Sequence, residues 1–546
     1  MNSQKHFAKK IIALISLVMV LCLLVLAVGC NGKKDEGNNQ SDTSSTSSEG
    51  GKYVEEIPVV QKVTMPAFKA GATSTMSKAD FEKAYRAYTD YRIYQIRTSE
   101  STIKPKNGGT AYYISSFRGD NKNDGKTPDT PFKTLARLKQ LDLKSGDVVY
   151  LERGSLWREE LKCDIDGVSY TAYGTGNKPM LYGSPKDVAD PKVWLETDEK
   201  GVYKYAFTLQ QKNNDVGTLV FNNGEECAIK VVLRKENSGV YNNTTGEPFT
   251  DYHNITKNHH FYHSDDGYVY LRCNEGNPGS VFKSIEMNVR KTVISVPADD
   301  ITIDNIVVKY TGVHGVGAGT VKNLTVQNCE FYWIGGSIQD DSMWGRTFAT
   351  RFGNAIQIYG GCKNYKVTNN YCYQIYDTGV TVQYLGESAG DCIMDGCYVN
   401  NNVFDKCNWS FEYFLGNQEG TTRYIKNFEI KDNLMWNCGY GFCEQRPDKR
   451  NEGHINGWPG SSENHCIGNF KISGNLFAMG KYQILVSCAA VDSEAPKYDS
   501  NIYVQTSDMF LGTSKTVVKS QKFDSNVRKT IENLFEDKHA QIIFIK

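Results

Sequence analysis

A repeat between Leu324 and Asn475 constrains this chain more than any other feature of its sequence. Five copies read LTVQN (ending at Asn328), YKVTNN (Asn370), YVNNN (Asn402), FEIKDN (Asn433) and FKISGN (Asn475). Each is a short run of alternating apolar residues that ends on asparagine and is followed by an apolar residue or cysteine. The asparagines are 42, 32, 31 and 42 residues apart. At such a period each copy is one coil, which buries its apolar face only by stacking on the next. Period-2 alternation in runs this short makes the coils β rather than helical. Asparagine suits the corner of such a coil, because it tolerates left-handed backbone angles and its amide can bond to the asparagine of a neighbouring coil. The expected fold is an all-β parallel β-helix.

A chain of 546 residues is long for an ordinary domain, but a solenoid grows by adding coils. Lys plus Arg equals Asp plus Glu at 62 each, which gives no electrostatic reason to expect nucleic acid or an anionic membrane surface as partner. The N-terminus carries Lys5, Lys9 and Lys10, then an apolar run from Ile11 to Val28. Leu26-Ala27-Val28-Gly29 followed by Cys30 resembles the lipobox of bacterial lipoproteins, although Ala27 stands where that family usually has leucine. The resemblance implies a signal peptide over 1–29, lipidation at Cys30 and an extracytoplasmic, membrane-anchored chain. The apolar run exceeds the ~7–15 residues of a signal core, so an uncleaved transmembrane anchor is the alternative. Residues 30–75 read as a flexible tether, polar for most of their length. Cleavage before Cys30 leaves thirteen other cysteines, and the matching places of Cys407 and Cys438 in successive coils favour core packing over disulfides. No Cys-x-x-Cys or His-x-x-x-His spacing supports zinc, so no metal site is expected.

Residues 76–106 contain an N-terminal helix opened by Ser77, with Asp80 three residues on. Residues 107–189 read as a cap and first coils, 190–289 as a small inserted antiparallel β subdomain, 290–505 as the solenoid core and 506–546 as a C-terminal cap with a helix at SNVRKTIENLFED. The D-G-x-x-P-x-x-P-F-K-T-L and G-D-x-V-x-L-x-R-G sequences between Tyr112 and Ser184 resemble the N-terminal region of bacterial pectate-lyase-like right-handed β-helix proteins. With the Asn-ended coils the resemblance covers about 109–185 and 290–490. It implies the right-handed fold and a carbohydrate-directed role without choosing an activity, since that superfamily holds polysaccharide lyases, glycoside hydrolases, esterases and surface binding proteins.

Insertions at 335–352 and 446–465, with shorter ones between, leave the coils after the same strand and should wall a groove. These walls and the strand between them carry Trp344, Arg346, Arg351, Trp409, Arg446, His454 and Trp458, residue types that hold sugars by ring stacking and forked hydrogen bonds. The candidate acids are Asp377, Glu412 and Glu444. Aligned on Ile375, Cys407 and Cys438, the two glutamates differ by one residue. The coils with DTG and YG carry glycine before the strand, where a bulge could absorb that residue and set Thr381, Glu412 and Glu444 in one outward column. Carboxyls on adjacent coils, ~4.8 Å apart, would then approach the ~5–5.5 Å of a retaining glycosidase pair, and acids two coils apart the wider spacing of an inverting one. Glu412 among aromatic rings should have a raised pKa and act as an acid, and Glu444 beside Arg446 should stay ionised.

These residues point first to a monomeric glycoside hydrolase acting on poly- or oligosaccharide without a cofactor. A polysaccharide lyase is the second reading; it would need an Arg or Lys base and Ca²⁺ or Arg on the substrate carboxylate. A glycan-binding or adhesion solenoid without catalysis is the third.

Overall fold

The computed structural model describes residues 51–209, 214–231, 233–236, 239–242, 249–264, 266–339, 351–385, 390–446, 452–457, 464–487, 494–514 and 517–546. Parallel strands stack in register into three faces. One face runs from Ala111–Ile114 through Ser169–Tyr173, Cys362–Thr368, Cys392–Asn400 and Arg423–Lys431 to Lys497–Asp499. After the asparagine corner the chain enters a second face, including Val307–Thr311, Glu330–Ile334, Leu434–Cys438, Leu476–Gly480 and Ile502–Thr506. It then turns into a third, including Ile294–Val296, Val316–Ala318, Ile356–Tyr359, Gly453–Gly457 and Gln483–Ser487. The long strands Tyr371–Tyr384 and Val403–Leu415 belong to both the second and third faces and bend between them. Alternate residues such as Val367, Val399, Ile430 and Ile472 point inward and form one continuous core. This is a parallel β-helix.

The corner divides between two positions the jobs that the sequence reading gave to one asparagine. Asn369, Asn401, Asp432, Gly474 and Ser500 take positive φ of 54° to 66°, as does Asn328 at 54° one coil earlier. The residue after each of the first five is the buried rung: Asn370, Asn402, Asn433, Asn475 and Asn501 form a continuous amide ladder, each of the first four donating Nδ2 to the next Oδ1 at 2.9 to 3.0 Å. Each rung also donates to a carbonyl of the preceding coil. Asn328 therefore aligns with Asn369, and the rung of its coil is Cys329, whose N–H donates to Asn370 Oδ1 at 2.9 Å. The ladder ends on Asp537, which accepts from Asn501 N, Asn501 Nδ2, Ser500 N and Tyr503 Oη. A carboxylate fits there because only donors remain to be satisfied.

The N-terminal segment corrects the tether boundary at 75. Tyr53 N already bonds Gly154 O at 2.8 Å, near the first coils. The chain then travels to the far end of the solenoid, where Thr73–Met76 adds to Gln541–Ile545 as a further parallel strand. A helix from Lys78 to Arg97, capped by Ser77 through Asp80 N at 3.1 Å and containing a π turn at Glu82–Arg86, returns along the second face. Its Phe81, Tyr85 and Ile96 pack on Val403, Leu434, Trp436, Leu476 and Ile502. About 20 helical residues span ~30 Å, the height of roughly six coils. This strap explains why strands such as LMW at 434–436 are apolar on both sides: both sides are buried.

The described residues of the segment after the first coils form two small sheets and a two-stranded antiparallel pair, Leu233–Glu236 with Gly239–Asn242. One sheet pairs Val216–Phe221 antiparallel with Ile285–Val289, and the other contains Trp194–Glu196, Val202–Tyr205, Val269–Arg272 and His260–His263 in antiparallel order, with Ile229–Lys230 joined parallel at its edge. At the C-terminus the helix Val527–Leu534 is followed by Gln541–Ile545, which rejoins the second face. The tail thus supplies a core strand as well as a capping helix. Every described cysteine is a free thiol, and all but Cys227 are buried.

Candidate active site

The third face positions Glu412. Its register partners are Thr381 on the preceding coil and Asn456 on the following one. The inward neighbours Phe411 and Ile455 are fixed in the core, so Glu412 and Asn456 point away from it. Thr378 and Thr381 hydroxyls each donate to Glu412 Oε2 at 3.1 Å, and Asn456 Nδ2 donates to Oε1 at 2.8 Å. Thr378 is held in turn by Asn354, whose Oδ1 accepts the Thr378 N–H at 2.9 Å and whose Nδ2 donates to Gln357 at 2.6 Å. Glu412 is 5% exposed. Burial foremost, and then the charge of Asp377, push its pKa up to about 7, while the hydroxyls and Arg446 oppose the rise.

Asp377 reaches this site through a bulge. The register between Tyr371–Tyr384 and Val403–Leu415 shifts between Ile375 and Thr378, so Tyr376 and Asp377 stand against Asn408 alone. The extra residue swings Asp377 toward Arg446, which bonds it at 2.6 Å. The Arg446 guanidinium lies 4.7 Å from the Trp409 ring centroid and 5.6 Å from that of Tyr376. Held between the two rings, it keeps the Asp377 carboxylate beside an acid whose pKa is raised to about 7.

Glu444 does not join the column. After Cys438 the chain leaves the sheet as a 3₁₀ turn over Gly441–Gln445, and the third face resumes only at Gly453. Glu444 is exposed there, accepts the Gly441 N–H at 2.9 Å and pairs with Lys481. No bulge was needed in that coil, because the column continues through Asn456. Arg446 accordingly serves Asp377 and not Glu444. Glu444→Gln should change stability by no more than about 0.5 kcal/mol, as exposed ion pairs do, and a calorimetric scan should show a nearly unchanged Tm.

Three groove residues also need correction. His454 is fully buried, with Nδ1 3.2 Å from Ser410 Oγ on the preceding coil and its ring near Phe477. Burial holds its pKa down to about 3. Arg351 is buried and donates to the Gly336 and Gly217 carbonyls, tying the inserted segment to the solenoid. Trp409 is 3% exposed and lies under Arg446, where it supports the guanidinium rather than offering a sugar platform. Trp344, Arg346, Trp458 and Cys30 lie outside the described residues, as do the loop segments 340–350, 447–451 and 458–463. Thr378, Asn354, Gln357 and Asn456 were not read from the sequence as site residues. The signal for Asn456 was present: HING resumes the alternation, with Ile455 inward.

No family model matches the chain. Over 63 residues, 11% of its length, it is 36% identical to a lacto-N-biosidase of Bifidobacterium longum subsp. longum, and the match spans 4% of that protein. Among solved structures it is similar to a glycoside hydrolase at 11% identity, with a TM-score of 0.43 over 73% of this chain and 86% of the other. A rhamnogalacturonan lyase matches at 12% identity, with a TM-score of 0.30 over 80% and 87%. The parallel β-helix itself rests on the strand pairings, not on these likenesses.

Proposed function

We propose that this chain is a cell-surface glycoside hydrolase, lipid-anchored at Cys30, in which Glu412 is the general acid and Asp377 the second carboxyl. The observation that carries this reading is the contrast between the two acids on adjacent coils. Glu412 is buried with a pKa near 7, and Asp377 is paired with Arg446 at 2.6 Å. A buried acid with a raised pKa beside a carboxylate paired with arginine is what acid-assisted glycoside cleavage requires. Glu412 protonates the departing glycosidic oxygen. Asp377 then serves the sugar carbon, either by attacking it or by taking a proton from water. Asn456, Thr378 and Thr381 fix the acid's orientation, so that little reorganisation accompanies proton transfer.

The lyase reading is less well served by these residues. Arg446 is engaged with Asp377 and Arg351 with backbone carbonyls, so neither arginine is offered as a base. The match to a lacto-N-biosidase adds a chromogenic lacto-N-bioside to the substrates worth testing, beside plant and host polysaccharides. With an active substrate from such a panel, the full chain should release reducing ends without ultraviolet-absorbing unsaturated product, and EDTA should not change the rate. Its kcat should fall as pH rises through about 7, where Glu412 loses its proton. Unsaturated ends would overturn the hydrolase in favour of a lyase. Binding without any product would favour an adhesin.

A further inference from the structure

We propose that the inserted β segment holds a zinc-type divalent cation on His259, Cys273 and Glu275. The three side chains lie at one edge of its sheet, their ligand atoms all within 4.8 Å of one another. Glu275 Oε2 stands 3.4 Å from His259 Nε2 and 3.6 Å from Cys273 Sγ. Tetrahedral zinc, with bonds of ~2.0–2.1 Å to N and O and ~2.3 Å to S, sets nitrogen and oxygen about 3.3 Å apart and sulfur and oxygen about 3.5 Å apart. The two measured separations are therefore already close to edges of a coordination tetrahedron.

Three further observations point to a cation. His259 Nε2 is buried and makes no hydrogen bond. The other ring nitrogen, Nδ1, is 3.7 Å from Glu226 Oε2, the outer carboxylate that orients many zinc-binding histidines. The second oxygen of Glu275, Oε1, is held by Asn258 Nδ2 at 2.7 Å, while Asn258 Oδ1 accepts the Asn274 N–H at 2.9 Å. This clamp leaves Oε2 facing the imidazole and the thiol. Phe221 and Phe282, with ring centroids 5.7 and 5.2 Å away, fix the imidazole plane edge-on. Sulfur and imidazole donors with one carboxylate suit zinc over calcium or magnesium. On binding, the thiol proton passes to water as the metal–sulfur bond forms. Three protein ligands leave a fourth position for water, on the side where Glu275 is exposed. The sequence hid this site because His259 and Cys273 are far apart along the chain and meet only where the strands His260–His263 and Val269–Arg272 pair.

The test is a Co²⁺ titration of the full reduced chain, followed by zinc. We expect one equivalent of Co²⁺ to give a thiolate-to-cobalt charge-transfer band with four-coordinate d–d bands, and stoichiometric zinc to bleach it. Cys273→Ser should lose the charge-transfer band, and Cys227→Ser, a nearby thiol outside the cluster, should keep it. Glu275→Gln changes only an exposed side chain and should weaken Co²⁺ binding at least tenfold while folding normally. Zinc should raise the Tm of the wild type and not of Glu275→Gln. Absence of a saturable band, its survival in Cys273→Ser, or equal zinc-dependent Tm shifts in both proteins would overturn the proposal. None of these readouts depends on glycan turnover.

Discussion

Glu412→Gln is expected to reduce glycan hydrolysis by about 10²–10⁴-fold, the usual contribution of a general acid, while the protein becomes no less stable at neutral pH. The two halves of this expectation have one physical source. Glutamine has nearly the same shape and keeps the Asn456 bond to Oε1. Its amide nitrogen can take the place of Oε2 and donate to the Thr378 and Thr381 hydroxyls, which have lone pairs to offer. What disappears is the proton and the cost of ionising a buried acid. A carboxyl whose folded pKa is raised binds protons more tightly when folded. Its favourable contribution is complete below the unfolded value near 4.5 and is lost as pH rises toward about 7. Glutamine does not titrate. The Tm of the wild type should therefore fall relative to the variant between pH 5 and pH 8, as scanning calorimetry at the two pH values would show. A variant that loses activity and Tm together would make Glu412 a structural group. A variant that keeps its activity would remove it from the mechanism.

The second large effect is expected at the asparagine ladder. Asn433→Ala should destabilise the solenoid by about 3–5 kcal/mol. Asn433 Oδ1 accepts both the backbone N–H and the side-chain Nδ2 of Asn402, and its own Nδ2 donates to Val399 O and to Asn475 Oδ1. Alanine leaves those buried donors and acceptors without partners, at ~1–3 kcal/mol for each left unsatisfied, partly offset where other bonds persist. Because solenoid coils interact mainly with their neighbours, loosening should begin next to the lesion. Hydrogen exchange should quicken first in the strands around 392–400 and 434–438, with a lowered Tm. Uniform exchange with an unchanged Tm would show that the ladder is ornament rather than support.

The repeat was legible because its cause is local and recurs at every corner, so alternation, period and composition all report it. What the sequence blurred was the division of labour between two adjacent positions. In YKVTNN and YVNNN both are asparagine, and nothing in LTVQN tells the left-handed Asn328 from the rung, which is Cys329. The bulge at Tyr376–Asp377 was legible from the glycine of DTG. The same reasoning failed at Glu444 because a glycine before a strand marks departure from the sheet as readily as a bulge; Gly439 and Gly441, both at positive φ, turn the chain out. His454 failed for a different reason. It was taken as part of a loop, whereas the strand Gly453–Gly457 had resumed and is buried along its whole length, His454 included. Arg351 was read as a sugar contact because nothing local marks its carbonyl partners, of which Gly217 lies 134 residues away in the inserted segment.

The strap has a consequence for the order in which the molecule is made. Thr73–Met76 pairs with Gln541–Ile545, and Arg528 donates to Ala72 O at 2.8 Å. Thr73–Met76 thus waits during synthesis for a strand that lies far along the chain. Coils can nucleate locally, but the outer side of the second face stays uncovered, with Leu434, Leu476 and Ile502 showing, until the final strand exists. Completion of this face is thereby tied to the arrival of Gln541–Ile545. A chain cut short before residue 541 would leave Thr73–Met76 without a strand to join.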